Sequence, residues 1–253
     1  MKDVPRRFYR DVAVRQSPED WPGGWEVTLD GKLLRSPAKA SLILPSEALA
    51  LAIRNEWDAQ QDRIQPRSMP MMQFASTAVD RVMPNRATIV QDIAAYAGSD
   101  LICYRAGGPS ALVERQQELW QALVDWANGR FDIALRVTTG IMAIEQSAHS
   151  LNALARAVDL LDPWRLTAVA GVTTIAGSLI IALALFEGRL TPEAAVAAAQ
   201  LDEIFQAERW GEDAEAVARR HGQAQEIIDA ARFLTLLPPD RAADWAALDG
   251  ASA

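Results

Sequence analysis

The sequence predicts an α+β fold in which a small N-terminal β-rich domain precedes a larger, mostly α-helical domain. Short alternating runs, divided by Pro, Gly and an Asp-Gly pair, occupy the first 45 residues, whereas apolar residues recur at helical spacing from residue 46 onward. Because strands and helices do not alternate along the chain, a doubly wound parallel sheet is not expected. We expect a β-rich domain ending in a helix at 1–66, a helical domain at 67–237 and a loose C-terminal tail at 238–253.

Three short segments predict the strands of a small antiparallel sheet: RFYRDVAVRQ, WEVTLDGKLLRS and ASLILP. Asp30-Gly31 divides the second segment and predicts a hairpin, because both central residues of a type I′ turn require positive φ. Pro37 and Pro45 close the later segments. The first helix is predicted to begin after Ser46, with an apolar stripe at steps of four: Leu49, Ile53 and Trp57. Trp57 continues this stripe, which favours packing in the core.

The rest of the chain predicts a series of helices. PRSMPMMQFASTAVDRVMP indicates a Pro-bounded loop and a short helix, and NRATIVQDIAAYAGSD a helix with Ile89, Ile93 and Tyr96 on one side. DLICYRA is compatible with a strand or a helix start. SALVERQQELWQALVDWANGRF is amphipathic and is expected to end at Gly129, with an apolar face of Leu112, Leu119, Leu123 and Trp126. Further helices are expected at about 147–161, 163–186, 191–207 and 212–237.

One apolar segment raises the question of a membrane span. TAVAGVTTIAGSLIIALALF, residues 167–186, contains no charge over 20 residues, which is the length of a bilayer crossing. It contains four Ser/Thr hydroxyls and two glycines, however, and only Arg165 and Glu187 flank it, so no basic cluster sets an orientation. A buried helix at the centre of a bundle is therefore favoured over membrane insertion.

The charge of the chain excludes one class of partner. The net charge is −8, and residues 187–253 hold 13 Asp/Glu against 6 Lys/Arg, whereas the preceding part is almost neutral. An acidic final quarter argues against nucleic-acid binding, which needs a basic footprint. The lone Cys103 cannot form an internal disulfide. The N-terminal segment lacks the long apolar run of a secretory signal, so a cytoplasmic location is expected.

The sequence contains none of the common catalytic signatures. G-x-G-x-x-G, G-K-[ST], G-x-S-x-G and H-E-x-x-H are absent, and the two histidines, His149 and His221, have no ligands at metal spacing. We therefore expect no catalytic residue, metal or cofactor. The alternative is a carboxylate-dependent enzyme of unknown substrate. It would bring Asp202 or Glu203 close to a second carboxylate, such as Glu56 or Asp58, which flank Trp57 at more exposed positions.

Residues 201–215, LDEIFQAERWGEDAE, combine six carboxylates with a tryptophan. At 100° per residue, one side of a helix carries an apolar set with a charged margin: Leu201, Ile204, Phe205 and Glu208. The opposite side carries a mixed set: Glu203, Gln206, Ala207 and Trp210. The first side predicts a core face. The second is compatible with an exposed interface anchor or with a face packed on a neighbouring helix, and the residues alone leave both interpretations open.

Several segments in order resemble one protein family: RRFYRDVAV, WEVTLDGKLLRSP, EWDAQQDRI, DLICYR, ERQQELWQALVDWA and LDEIFQAERWG. They resemble the assembly chaperones that bind the α subunit of the F-type ATP synthase catalytic head, over roughly residues 5–235. The resemblance implies a non-enzymatic chaperone without nucleotide or metal. It would shield the subunit interface of α until the β subunit replaces it. It also implies a protein that is monomeric when free, does not insert into membranes, and lies in the bacterial cytoplasm or, for eukaryotic relatives, the mitochondrial matrix.

The resemblance also implies roles for particular residues. Partner binding maps to Glu203 first and Asp202 second, with Gln206 and Trp210 beside them. The motif Glu56, Trp57 and Asp58 carries over as a structural or partner-linked element. After Trp210-Gly211 the chain continues with the acidic EDAEA, where mitochondrial relatives place an aromatic residue, and the tail beyond Leu237 has no counterpart. The limit of the partner contacts is therefore left open.

Overall fold

A computed structural model describes residues 5–17, 23–140, 142–211 and 213–239. It confirms the predicted α+β class, with a small N-terminal sheet followed by a mostly helical region. The chain forms two compact units, Met1–Ala75 with Thr235–Ala253, and Ser76–Leu234. The domain limits expected at 66 and 237 stay a prediction, and the compact units change after Ala75 and after Leu234. Most of the tail expected at 238–253 lies outside the described residues.

The first unit contains a three-stranded antiparallel sheet in the order β1 (Val12–Gln16), β2 (Trp25–Leu29) and β3 (Lys32–Leu33). The predicted hairpin connects β2 to β3, with φ of 49° at Asp30 and 77° at Gly31. The predicted strand ASLILP is reduced to isolated bridges, in which Leu44 pairs with Trp25 and Ser41 with Arg35. Pro45 directly follows Leu44 and has no backbone N–H to extend this pairing.

Helix α1 (Glu47–Asp58) packs on β1 and β2 of this sheet. The predicted cap is confirmed, since the Ser46 hydroxyl accepts a hydrogen bond from the Leu49 N–H at 3.1 Å. Leu49 and Ile53 are fully buried, and Trp57 is 9% exposed, as the apolar stripe predicted. The Trp57 carbonyl also accepts a hydrogen bond of 2.6 Å from the Tyr9 hydroxyl, which attaches the N-terminal segment to α1.

Glu56 is half-buried, at a more exposed position than Trp57 as expected. Its two carboxylate oxygens accept the backbone N–H groups of Met71 at 2.8 Å and Met72 at 2.9 Å. These residues lie in the first turn of α2 (Pro70–Thr77), so the carboxylate caps that helix and faces its positive end. Asp58 is exposed as expected and lies 3.7 Å from Arg7, an ion pair that contributes little. Glu56 is thus a structural residue of the first unit.

The second unit is built from short turns, a two-stranded parallel sheet and eight helices within the described residues. The helices are α3 (Arg86–Ala95), α4 (Ser110–Phe131), α5 (Ala148–Asp159), α6 (Pro163–Ala176), α7 (Leu179–Phe186), α8 (Pro192–Ala199), α9 (Leu201–Trp210) and α10 (Ala214–Thr235). The parallel strands are β4 (Tyr104–Arg105) and β5 (Thr138–Thr139). The turns are a π turn (Ala78–Val82) and three 3₁₀ turns (Met83–Asn85, Tyr96–Gly98 and Leu101–Cys103). The segment DLICYRA therefore forms both a 3₁₀ turn and a strand. On α3, Val90 and Ile93 are buried, whereas Ile89 and Tyr96 are only half-buried.

Two predicted details of α4 are wrong. Leu119 is 41% exposed, whereas the adjacent Trp120 is fully buried and donates its indole N–H to the Ala198 carbonyl at 2.9 Å. The helix also continues past Gly129 and ends at Phe131, and Asp132 caps it with φ of 51°. Its buried face includes the polar Gln116, which interrupts the apolar pattern and shifts the apparent stripe by one residue.

The long apolar segment forms two helices instead of one. Helix α6 ends at Gly177, with φ of 63°, and α7 begins after Ser178. All residues of α7 from Leu179 to Leu185 are buried, and α7 packs on α6. None of the helices in the described ranges combines the length and the apolar character that a membrane crossing requires. The helix expected at 191–207 is also divided, at Gln200, into α8 and α9.

Asp100 explains why the apolar segment breaks where it does. Its side chain is fully buried and accepts hydrogen bonds from the N–H of Ile102 at 3.3 Å and of Ile180 at 3.0 Å, and from the Ser178 hydroxyl. The carboxylate thus caps the first turn of α7, where the helix dipole favours negative charge. Burial raises the pKa of Asp100 to about 6, and the hydrogen bonds oppose this rise.

The raised pKa of Asp100 predicts a specific pH dependence. The folded state holds this proton more tightly than the unfolded chain, so the contribution is fully present below pH 4 or so and is lost as pH rises through about 6. The free energy of unfolding of the wild type, relative to Asp100→Asn, should fall by about 3 kcal/mol over this range. Urea unfolding at a series of pH values measures the difference, and a difference that does not change with pH would contradict the assignment.

Candidate functional site

Helix α9 has one buried and one exposed side. Leu201 and Phe205 are buried, which confirms the predicted core face. Glu203 and Gln206 are exposed, and Trp210 is 77% exposed, the largest value among the exposed large apolar residues of the described chain. The sequence left open whether this side of α9 is exposed or packed on a neighbouring helix, and in the structure these three side chains are exposed. We call Glu203, Gln206 and Trp210 the α9 surface.

The α9 surface borders a cleft between α9 and α10. This cleft has a volume of about 250 Å³ and is lined by Glu203, Gln206, Ala207, Trp210, Gly211, Asp213, Ala216, Arg219 and Arg220. The Glu203 carboxylate lies 3.4 Å from the Arg219 guanidinium, and both side chains are about half exposed. Exposed ion pairs of this kind contribute little stability, so Glu203 can exchange Arg219 for a partner group at small cost.

Asp202 has a different environment from its neighbour Glu203. Its carboxylate accepts a hydrogen bond of 2.7 Å from the Gln116 side-chain amide. Gln116 is buried. Its side-chain amide oxygen accepts a hydrogen bond of 2.8 Å from the Ala106 N–H, and its backbone carbonyl accepts a hydrogen bond from the Arg105 guanidinium. Burial raises the pKa of Asp202 and lowers that of Arg105. Asp202 therefore connects α9 to α4 and β4 from the inside.

Two arginines hold the other margin of α9. The guanidinium carbons of Arg115 and Arg209 lie 5.3 Å and 4.9 Å from the centre of the Phe205 ring. Arg115 also forms an ion pair with Glu208 at 2.8 Å. Cation–π contacts of this kind contribute about 0.5–1 kcal/mol at exposed sites. The sequence did not predict these contacts, because Arg115 lies on α4 and is brought to α9 only by the fold.

The His, Cys, Asp and Glu side chains of the described residues do not assemble a metal site. No group of three or more His, Cys, Asp or Glu in the described ranges could hold a metal ion. His149 contacts the Asp132 carbonyl at 2.8 Å, and His221 borders a second cleft of about 320 Å³ on α10. Cys103 is buried, and burial raises its pKa to about 12, which makes the thiol a poor nucleophile.

The carboxylates of the enzyme alternative are bonded to other groups. Asp202 is bonded to an amide, and Glu56 to two backbone N–H groups. Glu203 pairs with Arg219, and Asp58 with Arg7. None of these contacts is the carboxylate–carboxylate pair that the alternative requires.

Comparisons with known proteins identify relatives over most of the chain. The family model described as ATP12 chaperone protein matches residues 6–128. The crystal structure of Atp12 from Paracoccus denitrificans is 41% identical, with a TM-score of 0.87, over 92% of this chain and 98% of that one. A solved protein from Agrobacterium tumefaciens is 42% identical, with a TM-score of 0.87, over 93% of this chain and 87% of that one. The mitochondrial protein atp12 of Schizosaccharomyces pombe is 24% identical over 81% of this chain and 74% of its own length.

These similarities place the chain among the chaperones. The chain belongs to the ATP12 chaperone family. The family indicated by the ordered sequence segments is thereby confirmed. The roles of Asp202, Glu203, Gln206 and Trp210 in partner binding stay predictions.

The different environments of two neighbouring carboxylates predict different effects on stability. Asp202→Ala leaves the buried Gln116 amide without its acceptor, so the free energy of unfolding should fall by about 1–3 kcal/mol. Glu203→Ala removes an exposed ion pair and should change it by less than about 0.5 kcal/mol. Urea unfolding of both variants measures the contrast. Equal losses for the two would contradict the assignment of Asp202 as the internal residue.

Proposed function

We propose that this protein is an assembly chaperone that binds the unassembled α subunit of the F-type ATP synthase catalytic head. It shields the subunit interface of α until the β subunit replaces it. The observation that carries the proposal is the α9 surface of a chaperone-family protein, in which Trp210 is 77% exposed beside Glu203 and Gln206. The choice of the α subunit rests on the resemblance of the ordered segments in the sequence.

The physical properties of the α9 surface suit a transient binder. An unassembled subunit exposes apolar surface that promotes aggregation, and a protein that covers it stabilises the unassembled form by mass action. Trp210 supplies a large contact area, and tryptophan is enriched among the residues that dominate binding energy. Among the described residues, the ion pair of Glu203 is with the exposed Arg219, so the surface can bind and release a partner without breaking a buried contact.

The rigid part of this site lies beneath the exposed residues. The hydrogen bond between Asp202 and Gln116 and the buried Phe205 fix α9, whereas Gly211, with φ of 85°, ends the helix directly after Trp210. The backbone that carries Trp210 is therefore held in place before a partner binds, which lowers the ordering cost of binding. On this proposal the protein needs no nucleotide or metal, is monomeric when free, and acts in the bacterial cytoplasm or, in eukaryotic relatives, the mitochondrial matrix.

Co-expression with the α subunit tests the proposal. The wild-type chain should increase soluble α and elute with it in gel filtration. Glu203→Lys and Trp210→Ser should each lower the yield of complex at least about tenfold, because they remove central contacts of the interface. Glu118→Lys makes the same charge change at an exposed position of α4 and should leave the complex intact.

Circular dichroism of each variant separates loss of binding from loss of fold. Folded Glu203→Lys and Trp210→Ser proteins that still capture α like the wild type would contradict the assignment of the α9 surface. A wild-type protein that neither solubilises α nor elutes with it would contradict the proposed function as a whole.

A further inference from the structure

The first unit carries an exposed basic and aromatic segment that the proposed function does not use. Residues 5–7 pair antiparallel with residues 62–64, with hydrogen bonds from the Arg7 N–H to the Asp62 carbonyl and from the Ile64 N–H to the Pro5 carbonyl. Side chains of an extended segment alternate between its two sides. Arg6, Phe8 and Arg10 are exposed, and Phe8 is 70% exposed. We call these three residues the Arg6–Phe8–Arg10 stripe.

The alternate residues anchor the stripe from beneath. The Arg7 guanidinium donates to the carbonyls of Tyr9 and Asp58 at 3.2 Å and 3.0 Å, and its carbon lies 4.7 Å from the centre of the Tyr9 ring. The Tyr9 hydroxyl donates to the Trp57 carbonyl. At the end of the segment, the Asp30 carboxylate accepts the Arg10 N–H at 3.0 Å. The backbone that presents the stripe is therefore fixed before any partner arrives.

The stripe is basic although the whole chain carries a net charge of −8. Arg6 lies directly opposite Arg63 in an isolated antiparallel bridge. A cleft of about 730 Å³ lies beside them and is lined in part by Arg6, Arg63, Gln60 and Gln61. Arginine and aromatic side chains together are typical of interface centres.

We propose that the Arg6–Phe8–Arg10 stripe binds an acidic segment of the client protein. Carboxylates of that segment pair with Arg6 and Arg10, and an apolar residue between them packs on the Phe8 ring. The choice of an acidic partner segment rests on charge complementarity, because the stripe carries two exposed arginines on an otherwise acidic protein. The identity of the client as the α subunit rests on the proposed function, whereas the chemistry of the segment does not.

A continuous anionic surface suits the stripe less well than a peptide. Asp62 lines the same cleft, and Asp11 directly follows Arg10. These carboxylates would repel the evenly spaced phosphates of a nucleic acid or an anionic bilayer. A peptide can place its carboxylates against the arginines and keep them away from Asp62 and Asp11.

Overlapping 15-residue peptides that span the α subunit, immobilised on a membrane, test the proposal with the full-length protein. The wild type should bind peptides in which Asp or Glu flank an apolar residue, and 0.5 M NaCl should weaken this binding. The double variant Arg6→Glu/Arg10→Glu and the variant Phe8→Ser should reduce the signal on these peptides at least about tenfold. Arg35→Glu, an exposed arginine of the same unit, is the matched control and should bind like the wild type.

The outcomes separate this proposal from the proposed function. All substituted side chains are exposed, so the thermal unfolding midpoints should match the wild type and exclude a folding defect. Retention of the same peptides by the double variant, or binding of no acidic peptide by the wild type, overturns the stripe. Tighter binding of the wild type to a 20-nucleotide oligothymidylate or to phosphatidylserine vesicles also overturns it. Capture of intact α by the wild type decides the proposed function independently of these results.

Discussion

The helical unit depends on one buried carboxylate. Asp100 accepts the backbone N–H groups at the start of α7 and the Ser178 hydroxyl, and this places the break in the apolar segment at Gly177. The break allows α7 to pack against α6 with all residues from Leu179 to Leu185 buried. Without this cap, the first N–H groups of α7 would be buried without an acceptor, which costs roughly 1–3 kcal/mol for each group. The packing in the interior of the unit therefore depends on the polar contacts of Asp100 as well as on the burial of apolar side chains.

The candidate site also contains a carboxylate with an internal structural contact, next to a carboxylate that is exposed to solvent. Asp202 and Glu203 are adjacent in sequence, but Asp202 is bonded to the buried Gln116, whereas Glu203 faces solvent beside Trp210. The first carboxylate fixes the position of α9, and the second is free to exchange its exposed arginine. A chaperone must bind its client and then release it, and on the proposed function a rigid support beneath weakly held residues suits this task.

Local signals in the sequence predicted much of the fold, and long-range contacts account for the parts that were wrong. The Asp30-Gly31 hairpin and the Ser46 cap depend on residues within a few positions, so their patterns are visible in one segment. The break at Gly177 has local signals in Gly177 and Ser178, but the Asp100 carboxylate that also caps α7 lies 80 residues upstream of the N–H that it accepts and is not visible in the segment. On the site, helical angles separated Glu203 from the core face. They did not predict the exposure of Trp210 or the bond from Asp202 to a residue 86 positions away, since both depend on tertiary packing.

The central claim is that the α9 surface is the part of the protein that contacts the α subunit. Photo-crosslinking measures this contact directly, with p-benzoylphenylalanine placed at position 210 or, as a control, at position 160, where Leu160 is 47% exposed on the same unit. The account predicts an α-subunit crosslink from position 210 that is much stronger than the one from position 160. A crosslink from position 160 that equals or exceeds the one from position 210 would contradict it.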